Sequence, residues 1–220
     1  MSKSKLFYSE AYKEIERKIA EFINNHNDFM SDATASSPRA AGGAIQSDLA
    51  ENFQKILGEH CGEYSASFAR RAMADMAFND KEGNYNVVDV KTHRIDTKFN
   101  MPNPTSVERL ARFYEDDADC FIILNVAYNM VGTNIKVEAV NFVPIEFLSW
   151  DCLTIGALGW GQIQIANANK IIINQNYSRK KWMLEFCEVM LDFYPKEVIK
   201  ITERVEHFKE VKTFWTTKEE

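Results

Sequence analysis

Very little in this 220-residue chain points to a membrane, a disulfide scaffold or a common cofactor. No apolar run reaches the roughly 18–20 residues that a bilayer span requires. The opening stretch, Met1 to Lys18, is charged and lacks the apolar centre of a signal peptide, so a cytoplasmic location is expected. Four cysteines (Cys61, Cys120, Cys152, Cys187) stand far apart without a CxxC pair. That spacing argues against a zinc ribbon or a disulfide framework and suits a reducing compartment. The four histidines (His26, His60, His93, His207) give no metal-ligand spacing. There is no GxxxxGK[ST], no GxGxxG after a strand, no HExxH and no nucleophile elbow. Internal repeats and low-complexity linkers are missing as well, so one domain over 1–220 is expected.

A basic excess is also lacking. The net charge is −6, which weighs against a nucleic-acid partner when taken alone. Contact depends on the local field, however. The segments Lys91 to Lys98 and Arg179-Lys180-Lys181 are locally positive, while much of the acidity lies in the N-terminal helix, at Glu115-Asp116-Asp117 and in the C-terminal tail.

Hydrophobic spacing supplies the outline. Tyr12, Ile15, Ile19 and Phe22 predict an N-terminal helix within about 1–30. The small, polar, glycine-bearing segment of about 31–44 reads as a loop or arm. A second helix, about Ile45 to Glu59, turns Leu49, Phe53 and Leu57 inward. It opens a core of about 45–175. Within that core a hairpin comes first, then a short helix over Ser106 to Tyr114 and a buried strand over Asp119 to Tyr128. Alternating strands over Ile135 to Phe142 and Gly161 to Ala166 follow. About 176–215 reads as C-terminal helices, one over Ser178 to Phe193 and another starting at Pro195 after a break at Tyr194. The expected class is α/β, an α+β mixed sheet flanked by helices.

The chemistry concentrates in the hairpin. Asp75 sits on one apolar run, and the turn Asn79 to Asn84 leads into a second run, Tyr85 to Val90, that ends in Asp89-Val90-Lys91. Side chains alternate along a strand, so Asp89 and Lys91 share a face, and the hairpin brings Asp75 beside them. An Asp-x-Lys at a strand end often marks only a solvated edge. Here Asp89 follows Val87-Val88 directly, and a charge next to a core is costly unless it is paired or metal-bound. Two carboxylates form a hard-oxygen site for Mg²⁺, and a lysine beside the metal orients water for phosphodiester hydrolysis.

These residues resemble the PD-(D/E)xK nuclease superfamily, specifically type II restriction endonucleases of the EcoRV and HincII kind. The likeness takes in Asp89-Val90-Lys91-Thr92, the Asn100-x-Pro102-Asn103 stretch, Trp160 with Gly161 to Gln164, and the long helical C-terminus with Arg179, Lys180 and Trp182 near its start. It spans roughly residue 40 to the end. Ala74 stands where the superfamily name implies proline. The resemblance implies a restriction-endonuclease-like fold. It implies Mg²⁺ (with Mn²⁺ as a substitute and Ca²⁺ supporting binding without cleavage) held by Asp75, Asp89 and the Val90 carbonyl. Lys91 would contact the attacking water and the scissile phosphate, and Glu51, with Asp48 as the second choice, would be an assisting acid on the preceding helix. A homodimer would cut both strands of a short palindromic double-stranded DNA site, leaving 5′-phosphates and blunt ends. A cognate DNA methyltransferase would belong to the same system without being a physical partner. The alternatives are another nuclease of this superfamily, acting in DNA repair or at junctions, and a non-catalytic DNA-binding domain.

Base readers need amides and guanidinium groups, with cations for phosphates. Thr92, His93, Arg94, Lys98, Asn100 and Asn103 are expected in an open loop after the catalytic strand. By resemblance Asn100 presses into the base stack and Asn103 contacts a base. Gln162 and Gln164 share one strand face and Asn167 follows; such an amide-rich edge suits DNA contact. Ser36, Ser37 and Arg39 form a candidate arm, and Arg179 and Lys180 are candidate phosphate contacts, with a plain surface loop or solvated cluster as the rival reading in each case.

Overall fold

A computed structural model describes residues 4–26, 30–64 and 74–219. The chain divides into two units, Met1–Asn176 and Tyr177–Glu220. The sequence predicts one domain, and the division falls where it places the start of the C-terminal helices.

In the first unit the helices are α1 (Ala11–Asn25), α2 (Asp32–Ser36), α3 (Pro38–Leu57) and α4 (Val107–Phe113). Strands β1 (Cys61–Tyr64), β2 (Met76–Asp80), β3 (Tyr85–Arg94), β5 (Cys120–Val131) and β6 (Asn134–Pro144) form a five-stranded sheet in the order β1-β2-β3-β5-β6. Only β3 and β5 run parallel. A second sheet orders β4 (Thr105–Ser106), β8 (Gln162–Ile165) and β7 (Leu153–Gly156) as β4-β8-β7. The class is therefore mixed α/β, with helices flanking the larger sheet.

The hairpin register is set by its turn. Asp80 Oδ1 accepts the backbone N–H groups of Glu82 and Asn84, both at 2.9 Å, and Asp80 Oδ2 accepts Asn84 Nδ2 at 2.8 Å. Gly83 supplies the positive φ of 82° that the turn needs. From there β2 and β3 pair as far as Met76 with Val88. The Asp75 N–H donates to the Val88 carbonyl at 3.0 Å, and the next step of this register sets Asp75 opposite Asp89. Strand β3 does not end at Asp-x-Lys but continues through Arg94, paired residue by residue with β5.

Both faces of β3 are covered. Phe53 of α3 packs on Phe78 and Phe142, with ring centroids 6.3 and 5.8 Å apart. On the opposite face Phe113 of α4 meets Tyr85 and Phe121. Fully burying such a ring stabilises by roughly 1.5–3 kcal/mol. Helix α1 lies along the outer strand β6. Its Asn24 Oδ1 accepts the Val137 N–H and its Glu16 Oε1 accepts the Phe142 N–H, each at 2.8 Å.

Two expectations are corrected. The segment 31–44 is helical, not a loop or arm. Ser31 caps α2 through the Thr34 N–H, and Ser37 caps α3 through the Ala40 N–H with Pro38 in the first turn. Gly42 interrupts no helix; a Cβ there would lie 2.3 Å from Thr92 Oγ1 on β3, so α3 needs a residue without a side chain at this crossing. Finally, the C-terminal unit holds one 38-residue helix, α5 (Arg179–Thr216), with Pro195 inside it. Proline removes one hydrogen bond to the Leu191 carbonyl, and it does so on a stretch where Leu191 and Pro195 are both exposed. Strand β1 lies in a stretch to which the sequence assigns no strand. Among the described residues no helix is long and apolar enough to cross a membrane.

The two neighbouring glycines of α3 give opposite expectations. Gly42→Ala should lower stability by about 1–3 kcal/mol through overpacking against Thr92. Gly43→Ala, with nothing within 4 Å, should raise it by up to about 1 kcal/mol through helix propensity. Urea unfolding of both variants checks the pair.

Candidate active site and nucleic-acid interface

Asp89, Lys91 and His93 alternate onto one face of β3, the middle strand of the larger sheet. Lys91 Nζ donates to Asp89 Oδ1 at 2.7 Å. Asp75 Oδ2 accepts the Val90 N–H at 2.7 Å, which ties the second carboxylate to the same strand. The three side chains predicted to meet are thus brought together by one hairpin.

Asp89 is 5% exposed. Burial pushes its carboxyl up to about 7, while the Lys91 ammonium pulls the other way and the nearby Asp75 charge adds to the rise. Its Oδ2 is buried, with no hydrogen-bond partner among the described residues. Beside it on β5, Asn125 pairs in register with Lys91 and likewise has a buried Oδ1 without a partner among the described residues. A buried acceptor left unsatisfied costs about 1–3 kcal/mol. A divalent cation would satisfy the Asp89 oxygen. No three His, Cys, Asp or Glu side chains cluster for a metal among the described residues. The donor set is therefore two carboxylates, which fits Mg²⁺, an ion that keeps several waters and binds through one or two carboxylates plus phosphate.

The assisting acid from α3 does not take shape. Glu51 is exposed. Asp48 accepts His26 Nδ1 at 2.9 Å and Asn52 Nδ2 at 3.4 Å. A cleft of about 570 Å³ is instead lined from α3 by Arg39 and Gln46, and from the β3 side by Val90, Lys91 and Asn100. Gln46 carries no sequence signal of its own, because an isolated glutamine on an amphipathic helix looks like any solvated residue.

The expected recognition loop is partly strand. Thr92 to Arg94 belong to β3. Thr92 is turned toward Gly42. His93 is buried; its Nε2 lies 2.7 Å from Asn169 Oδ1 and its Nδ1 3.4 Å from Asn100 Nδ2. Arg94 binds Asp96 at 2.8 Å and the Ala35 carbonyl at 3.3 Å. These three side chains hold the frame, whereas Lys98 is exposed beyond the strand.

Further on, two predicted regions meet. The Ile165 N–H donates to the Pro102 carbonyl and the Ala168 N–H to the Asn100 carbonyl, both at 2.9 Å, so the Asn100 segment runs against β8 and its extension. Gln164 Nε2 donates to Asn103 Oδ1 at 2.7 Å. A Cβ at Gly156 would lie 2.7 Å from the Gln164 amide, so that glycine leaves the amide its place. Gln162 shares this strand face, opposite buried Ile163 and Ile165. Asn167 Oδ1 closes a local turn on the Asn169 N–H at 3.0 Å. Of the expected arm, Ser37 is occupied as a helix cap, Ser36 Oγ donates to the Ala33 carbonyl at 2.9 Å, and Arg39 is exposed at the cleft. Arg179 and Lys180 belong to the second unit, in the first turn of α5, capped by Ser178 through the Lys181 N–H. No protein-family model matches the chain, and neither does any curated protein.

Burial of the Asp89 carboxyl would make any metal binding at this site depend on pH. Its folded value lies above the unfolded one near 4, so its stabilising contribution is present below about 4 and is lost as pH rises through about 7. A bound cation requires the ionised form and gains in the same window. Mg²⁺ should therefore raise the melting temperature little at pH 6 and clearly at pH 8, with affinity climbing up to about tenfold per pH unit below 7. Asp89→Asn should remove both the Mg²⁺ effect and its pH dependence. Thermal scans across pH, with and without Mg²⁺, check this.

Proposed function

We propose that this chain is a site-specific deoxyribonuclease of the PD-(D/E)xK type. In this reading it is a cytoplasmic type II restriction endonuclease with a restriction-endonuclease-like fold, hydrolysing both strands of a short palindromic duplex with Mg²⁺. The observation that carries the reading is the pairing of Lys91 with Asp89 at 2.7 Å on a strand held against Asp75, beside a cleft that Lys91 and Asn100 both line.

In this mechanism Asp75 and Asp89 would hold the cation, and Asp89 Oδ2, a buried acceptor without a partner among the described residues, would gain one. The cation, when bound, polarises a phosphoryl oxygen and acidifies water. Lys91, fixed in direction by Asp89 Oδ1, places its ammonium against the phosphate and the attacking water, a positioning and electrostatic role. The water oxygen forms a bond to phosphorus and gives up a proton to solvent, the bond to the 3′ oxygen breaks, and that oxygen takes up a proton from solvent. A 5′-phosphate remains, and blunt ends are the expected geometry of the cut. A homodimer matches two such sites to the two strands of a palindrome. Asn100, Asn103, Gln162 and Gln164 present amides suited to base edges. Arg39 and Lys98 are the exposed cations of this unit assigned to phosphates. A nuclease of the same superfamily working on damaged or branched DNA would use the same three catalytic residues.

Plasmid digestion with Mg²⁺ separates these readings: discrete bands mark site-specific cleavage, and smears or junction-dependent products mark the repair enzyme. Lys91→Ala should lower cleavage by about 10³-fold or more while duplex binding in Ca²⁺ persists. Absence of metal-dependent cleavage by the wild-type protein on any duplex would refute the enzyme reading. Asn103→Ala and Gln164→Ala should each cost about 1–3 kcal/mol of discrimination at one base pair. Because the two amides are bonded to each other, the double variant should cost less than the two single effects added together; full additivity in a cleavage-specificity assay would contradict a shared role.

A further inference from the structure

Helix α5 carries an apolar stripe of seven-residue period that neither the candidate metal site nor the cleft uses. Leu184, Leu191, Val198, Val205 and Lys212 recur every seven residues, and Cys187, Tyr194, Ile201, Phe208 and Trp215 follow each of them by three. This alternation of three and four is the a/d pattern of a left-handed two-helix coil. Every one of the ten is exposed, with Leu191, Phe208 and Trp215 each at about two-thirds of full exposure. The stripe runs about 46 Å at the helical rise of ~1.5 Å per residue. A stripe of this length, apolar at nine of its ten positions, marks an interaction surface, and its 3.5-residue period specifies another helix of the same period as the occupant.

Charge decides the orientation. A parallel pair would stack Lys212 on Lys212 in the seam and set Arg204 of one helix beside Lys209 of the other. An antiparallel pair with Val198 opposite Ile201 of the second copy removes both conflicts. Leu191 then meets Phe208, Leu184 meets Trp215, Tyr194 meets Val205, and Lys212 falls beside Cys187. On the flanks Glu197 faces Arg204 and Glu188 faces Lys209. Each of these contacts occurs twice by the two-fold symmetry. In the single chain Glu197 is bridged to Lys200 at 2.6 Å and Lys209 to Glu206 at 2.7 Å, so those two groups exchange partners on pairing. Pro195 lies beside the seam rather than in it, where its missing N–H costs the coil nothing further.

We propose that α5 pairs with α5 of a second copy of this chain as an antiparallel coiled coil, in the register that places Val198 against Ile201. The inference gives a surface to the dimer named above but does not depend on nuclease activity. It is read by association and cross-linking, so a failed cleavage assay leaves it standing and its own failure leaves the catalytic reading intact.

The test uses the full chain in sedimentation velocity at micromolar concentration, followed by mild oxidation and peptide mapping. A dimer is expected. Ile201→Glu, which buries an unpaired charge at the seam centre without touching either unit's core, should weaken it by about a hundredfold or more, with circular dichroism showing that the fold is kept. The wild-type chain should form no Cys187–Cys187 link. Lys212→Cys should give a link between position 212 and Cys187 of the second copy. A wild-type monomer would overturn the proposal and assign the stripe to a different occupant. A dimer indifferent to Ile201→Glu would overturn it by placing the interface elsewhere. A Cys187–Cys187 link would overturn the antiparallel register.

Discussion

A slip of one residue between β2 and β3 would send Asp75 to the opposite face of the sheet from Asp89. The site therefore depends on a register, and that register is held by the Asp80 carboxylate, which takes three hydrogen bonds inside its own turn. The acidic pair is electrostatically unfavourable in isolation. It is tolerated because Lys91 sits against one of its members and the Val90 N–H against the other. A third acidic group, Asp80, thus organises the site from the turn without entering it.

The same strand links the candidate chemistry to the candidate reading surface. His93 stands two residues beyond Lys91, on the same face, and joins Asn100 and Asn169 from two separate segments. The Asn100 segment is thereby tied to a side chain rooted in the strand that carries Asp89 and Lys91. The segment's other tether is to β8, through the Pro102 carbonyl and the Asn103–Gln164 amide pair. Placement of amides by backbone pairing of this kind favours accuracy over adaptability.

Local features were readable in the sequence and distant ones were not. Asp75, Asp89 and Lys91 emerge from one hairpin, whose turn chemistry and alternation lie within about twenty residues. Strands β6 and β8 and helix α1 follow from period, β5 from a dense apolar run, and α4 from a short helix-compatible segment. The start of α3 was hidden by Gly42-Gly43, which reads as a loop until Thr92 is found packed against it; the Ser37-Pro38 cap was the available clue. Pro195 suggested a break because the rule against internal proline takes no account of a solvent-facing carbonyl. The contact of His93 with Asn169 spans 76 positions, and nothing in either neighbourhood announces it. Gln46 is invisible for a different reason: the sequence draws attention to the acids Asp48 and Glu51, whereas the rotation of α3 directs a neutral amide at the cleft.

The outer strand β6 bears one more consequence. Two of its outward-pointing N–H groups are already occupied by side chains of α1, through Asn24 and Glu16. A stray strand arriving from another molecule meets a ladder interrupted at both of these positions. Helix α1 thus acts as a selvedge along that side of the sheet, the kind of cover that discourages edge-to-edge growth.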